Sequence, residues 1–356
     1  MELINHSRYS AGVIVDTDRD AVDTLVLMVK ATFDIGPDGH LQPSEKQREI
    51  EWADVYAGAP GISSVLYESD ATWGRRGTDV AFIGYAYPRR LGDRQVDVSL
   101  RVGPVGKSAR VFGDRRWETV IGGARMSVAE PFEKIPLVWE RSFGGVDATP
   151  ADPNHHSLEA RNPVGRGFRA KNSQAPIDGA GLPNIEDPRH LIATPADRPP
   201  PVGFGFVAKS WMPRVAFAGT YDDRWQKSKA PLLPDDYDPQ FTVAASEGLW
   251  VADGLRGGEV VDLEQLTPNG RLRFTLPKVD IAGSYLAMVP PTELDMRLVV
   301  VFVDAVRMNL VLLWQGSHSI HGLVDDMRWV RALDEATYVE EDAPGVEDSD
   351  DAEDSD

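Results

Sequence analysis

The chain has 356 residues, 42% of them hydrophobic, with a formal charge of −19 and no cysteine. That length exceeds the usual single domain and carries enough apolar side chains for a sizeable core. The missing thiols exclude disulfides, thiolate metal sites and a catalytic cysteine, and they fit a reducing, cytoplasmic setting.

Met1 to Ser10 has neither a basic stretch nor an apolar one, so no secretory leader is expected there. Strands follow. Leu25, Leu27, Val29, Ala31 and Phe33 alternate with Val26, Met28, Lys30 and Thr32, a period of two that buries one face and partly buries the other. Gly36-Pro-Asp-Gly39 supplies a turn. Asp79 to Tyr87 is a further strand, and Val96, Val98, Leu100 and Val102 alternate cleanly with polar residues.

The middle is different. Residues 131–240 hold 16 of the 26 prolines, which prevents long regular elements. Pro199 to Pro201 should be extended, and one short helix is expected after Thr220 as its cap, ending before Pro231. The stretch is rich in aromatics, including Trp139, Phe143, Phe204, Phe206, Trp211 and Trp225, so these loops should fold onto a core. Ordered loops of this length are usually functional. Leu272, Phe274 and Leu276 then restart the alternation, and Met296–Val303 with Met308–Trp314 reads as a hairpin. Leu298 to Val303, the longest clean apolar run, is too short to span a bilayer. The expected fold is mainly β, with sandwich-like antiparallel sheets, a long irregular middle and little helix.

From Asp334 to Asp356 there are 12 acidic residues and no Lys or Arg, so this segment supplies most of the charge. It should be a disordered tail, either solubilising or aimed at a basic partner. The body is then residues 1–333, which divides into two candidate interleaved β subdomains, about 1–130 and 240–333, joined by 131–240. Clustered Lys and Arg suited to duplex nucleic acid are lacking.

Short chemical motifs fail in context. Gly106-Lys-Ser108 ends like a phosphate loop, but the required first glycine is Arg101 and no helix follows. Gly165–Ala170 and Gly203–Ala208 match the loose dinucleotide fingerprint without a preceding strand in a βαβ unit. Asp16, Asp18 and Asp20 open like a calcium loop, but Ala21 and Leu27 occupy its glycine and glutamate positions. Asp235, Asp236 and Asp238 fail likewise at Ser246. His155 and His156 are neighbours whose rings point apart. No metal or cofactor is expected.

The most distinctive residues form an ordered series: Trp139-Glu-Arg-Ser-Phe-Gly-Gly145, Asn162-Pro-Val-Gly-Arg-Gly-Phe168, Leu182-Pro-Asn-Ile-Glu186, Pro201-Val-Gly-Phe-Gly205, Trp211-Met-Pro-Arg214, Ala218-Gly-Thr-Tyr-Asp222 and Leu233-Pro-Asp-Asp236. Val29–Phe33, Gly77–Val80, Gly113–Trp117, Gly258-Glu259, Leu276-Pro277 and Leu312–Trp314 extend it. The series resembles a bacterial family of type VI secretion adaptor/chaperones, long catalogued as a domain of unknown function. The resemblance covers roughly residues 5–320; positions 316–322 and the tail depart from it. It implies a non-enzymatic protein that stabilises an effector and helps load it, with a PAAR-type tip domain, onto the trimeric spike. The alternatives are a hydrolase with its site in the central loops, or a structural component of the secreted spike. Most of the motif residues read as structural: Asn162, Gly165 and Gly167 for tight loops, and Glu140, Arg141, Glu186 and Arg214 for pairing. Trp225, Trp211, Phe204, Phe206 and Arg214 are the candidates for partner contact.

Overall fold

The computed structural model describes residues 1–18 and 20–334; the acidic segment 335–356 lies outside the described residues. Three sheets carry the fold. In chain order their strands are β1 (Glu2–His6), β2 (Ser10–Thr17), β3 (Asp23–Ile35), β4 (Leu41–Pro43), β5 (Thr78–Ile83), β6 (Gln95–Val102), β7 (Val105–Phe112) and β8 (Ile185–Glu186). They continue with β9 (Trp250–Val251), β10 (Val260–Glu264), β11 (Arg271–Thr275), β12 (Ile281–Leu286), β13 (Thr292–Leu294), β14 (Arg297–Asp304), β15 (Asn309–Ser319) and β16 (Trp329–Asp334).

The largest sheet runs β9-β5-β14-β15-β3-β2, with β4 added on β3. The second runs β8-β7-β6-β10-β11 and the third β1-β16-β12-β13. Most neighbours are antiparallel, but β5 lies parallel to β14, and β1 parallel to β16. Each sheet joins strands from both halves of the chain. The expected hairpin is β14–β15, with its register shifted between Leu298 and Val300.

β3 departs from the expectation of one buried and one partly buried face, because both of its faces are covered. Leu25, Leu27, Val29, Ala31 and Phe33 enter the main core shared by the three sheets, together with Val98 and Leu100 of β6, Leu263 of β10 and Val330 of β16. Val26 and Met28 enter a second core with Trp139, Phe206, Trp211, Phe302 and Leu313. Chain from the irregular segments roofs that second face. A smaller cluster holds Trp117, Phe143, Leu182 and Ile192.

Two local expectations change. The helix is α1, Asp223–Ser228, and its cap is Asp222, whose carboxylate accepts from Trp225 N at 2.8 Å. Thr220 instead bonds Asp236, from its N at 2.9 Å and its hydroxyl at 2.7 Å. Asp334, assigned above to the tail, ends β16: it is buried and bonds Arg8 Nε at 2.8 Å.

Candidate functional site

The central segment is held by aromatic packing first. Trp139 and Trp211 meet edge to face, centroids 5.7 Å apart, and the Trp139 Nε1–H donates to Phe206 O at 2.9 Å. Gly203 is required here: a Cβ would lie 2.4 Å from the Trp139 ring. Phe206 stacks on Phe302 at 5.8 Å, and Phe204 meets Phe82 edge-on at 6.3 Å. The buried Asn162 carboxamide donates to Trp139 O at 2.8 Å and Phe143 O at 2.9 Å, and the Asn162 backbone carbonyl accepts from Gly145 N and Gly165 N. These loops thus satisfy their backbone groups through one another.

Beneath them lies a buried ionic network. Arg214 donates through Nη2 to Glu68 at 2.6 Å, through Nε to Phe241 O at 2.9 Å and through Nη1 to Val207 O at 2.5 Å. Arg75 reaches Glu68 at 2.9 Å and Asp79 at 2.6 Å, and Asp79 accepts from Ala244 N and Ala245 N. Beside it Lys30 Nζ holds Asp70 at 2.7 Å and Glu49 O at 2.9 Å. Burial works against the Glu68 carboxylate, but Arg75 and Arg214 outweigh it and hold its pKa below the ordinary value. Burial, with Glu68 alongside, pushes Asp79 up against the pull of Arg75. The space left among Lys30, Glu68, Asp70 and Arg75 is about 30 Å³, room for roughly one water. No substrate enters it, and the network's charges are spent on each other and on loop carbonyls.

Surface clefts offer other chemistry. One, of about 690 Å³, is lined by Lys107, Asp187, Arg189, His190, Pro201 and Glu247. Burial pushes the Lys107 ammonium down to about 8, and its Nζ donates to Ser246 Oγ at 3.2 Å and Glu247 O at 2.9 Å. Ser246 is fully buried and gives its own proton to Gly203 O at 2.7 Å. A second cleft, of about 680 Å³, opens beside Gly77, Asp253, Arg256, Asp280 and Arg297. Among the described residues no three His, Asp or Glu side chains gather in a metal-binding group. No helix among them is long and apolar enough to cross a membrane.

The partner-contact candidates need correcting. Trp211, Phe204, Phe206 and Arg214 are buried, so each supports the fold and none is presented to a partner. The reason is that the aromatics roof a sheet face and Arg214 neutralises Glu68. Trp225 alone stays half-exposed, with Tyr221 edge-on at 4.7 Å and its Nε1–H on Leu232 O at 2.8 Å. Of the residues expected to pair, Glu186 bonds Arg115, Glu140 accepts from Ser64 N at 2.8 Å, and Arg141 reaches Asn184 at 3.0 Å. Gly106 to Ser108 lie in β7, in extended backbone with no helix behind them. Asp18 closes a turn by accepting from Asp20 N and Val22 N. Sequence reasoning missed Lys30, Glu68, Asp70, Arg75 and Asp79; the signal was a lysine and an aspartate set inside apolar strands.

Fold and site together define a mainly β protein whose irregular third is locked by buried rings and buried charge into a fixed surface. The chain belongs to the bacterial family described as "uncharacterized protein conserved in bacteria" (DUF2169), whose model matches residues 20–315. No curated protein and no solved structure matches it.

Proposed function

We propose that this chain is a non-enzymatic adaptor that binds and stabilises a type VI secretion effector and helps load it, with its PAAR-type tip, onto the spike. The observation that carries this is how the resemblance-bearing series is used. Trp139, Phe143, Phe204, Trp211, Glu186 and Arg214 of that series are turned inward, which makes the central loops a platform suited to holding another protein. A fixed surface loses little entropy on association, as a chaperone for an unstable effector domain needs. Co-purification with the product of a neighbouring effector gene tests the reading. A stable complex and raised effector solubility are expected; an effector that is soluble alone and never captured would overturn it. Absence of the chain from culture supernatant separates an adaptor from a component that leaves with the spike.

A further inference from the structure

The edge strand β2 is built to be paired. Asp18 N donates to Val22 O at 3.0 Å, so the even-numbered residues of β2 are the ones that exchange bonds with β3. Ile320 N donating to Asp23 O at 2.8 Å agrees, since it turns the odd residues of β3 toward β15. Ala11, Val13 and Val15 therefore aim N–H and C=O away from the sheet, and among the described residues these groups meet no partner. Natural sheets blunt such edges with charge, proline or brevity. Here β8 and β9 have two residues each and β13 has three, while β11 carries Arg271 and Arg273. β2 has eight residues, SAGVIVDT, without Lys, Arg or Pro. Trp52 lies against it: a Cβ on Gly12 would stand 3.0 Å from its Cη2, yet the side chain is 57% exposed. Asp16 and Asp18 make the far end of the strand acidic.

We propose that β2 is the docking edge for an extended strand of a partner protein. The incoming strand completes the backbone pairs at Ala11, Val13 and Val15. One of its apolar side chains rests on Trp52, and a Lys or Arg lies near Asp16 and Asp18. A second copy suits the edge less well, because each chain carries −19. The inference rests on the adaptor reading and names the surface that the adaptor uses. The test takes the full chain with the neighbouring effector product and follows amide exchange across residues 10–17. Protection on complex formation is expected. Val13→Pro removes an outward-facing donor together with a side chain packed on the main core, and Trp52→Ala removes an exposed ring; each should weaken capture by roughly tenfold or more, Val13→Pro with a lower melting temperature and Trp52→Ala with an unchanged one. A complex that forms with residues 10–17 unprotected and both variants at full affinity overturns the docking edge and leaves the adaptor standing. A dimer of the chain alone that Val13→Pro dissolves overturns it in favour of a second copy. Failure to form any complex overturns the adaptor reading and the docking edge together.

Discussion

Trp139 shows how much one side chain fixes. Its ring fills the space that Gly203 leaves, its N–H serves Phe206 O, and its own carbonyl is held by Asn162. Trp139→Ala or Trp211→Ala should cost about 3–5 kcal/mol, read as a lower urea midpoint and poor soluble yield; folding at wild-type stability would place these rings outside the core. Lys107 offers a pH test. Its folded pKa of about 8 lies below the ordinary 10.5, so the unfolded chain holds more protons between those values. Wild-type stability should therefore rise relative to Lys107→Met as pH increases from about 8 to about 10.5. A flat difference across that window would mean that the ammonium is as well solvated folded as unfolded.

At the scale of elements, the loops over the second face of β3, β5, β14 and β15 need a polar interior as well as an apolar one. Their carbonyls Val207 O, Phe241 O and Thr242 O point inward and are met by Arg214 and Arg75. Removing Glu68 takes away the one carboxylate that Arg214 meets among the described residues and leaves Arg75 with Asp79 alone, so Glu68→Ala should cost about 3–5 kcal/mol. Because the folded pKa of Glu68 is depressed, its contribution is present above the unfolded value and is lost as pH falls. The gap between wild type and Glu68→Gln should then shrink in acid, followed by thermal unfolding at a series of pH values. Asp79, raised by burial, moves the opposite way, which is why the comparison is made on Glu68 alone. The helix α1 contributes little here: Asp222→Ala should cost only about 1 kcal/mol.

For the whole molecule, the sheets interlock the two ends of the chain. β1 lies beside β16, and β3 beside β15, so unfolding should be one cooperative event through the shared main core. Neither a chelator nor ATP with magnesium should move the melting temperature. A specific ligand at about 100 times its Kd would add about 2.7 kcal/mol, so a clear upward shift with ATP, or a drop with the chelator, would reveal a site that side-chain geometry does not suggest.

The strands whose pattern has period two are legible in the order of residues alone. Val96 to Val102 and Arg271 to Thr275 alternate buried and exposed as their residues dictate, and Met296–Trp314 forms the hairpin its spacing requires. The sequence also marked the central segment as ordered, because aromatics at that density must be buried somewhere. What it left open was where. Pairings such as β5 with β14 join residues more than two hundred positions apart, and periodicity carries no record of a partner. Burial of Arg214, Phe204 and Phe206 depended on a sheet face that only the assembled strands provide. The open edge of β2 was equally out of reach, since which backbone groups face outward follows from register with β3 and from the absence of a neighbour among the described residues, both properties of the folded sheet.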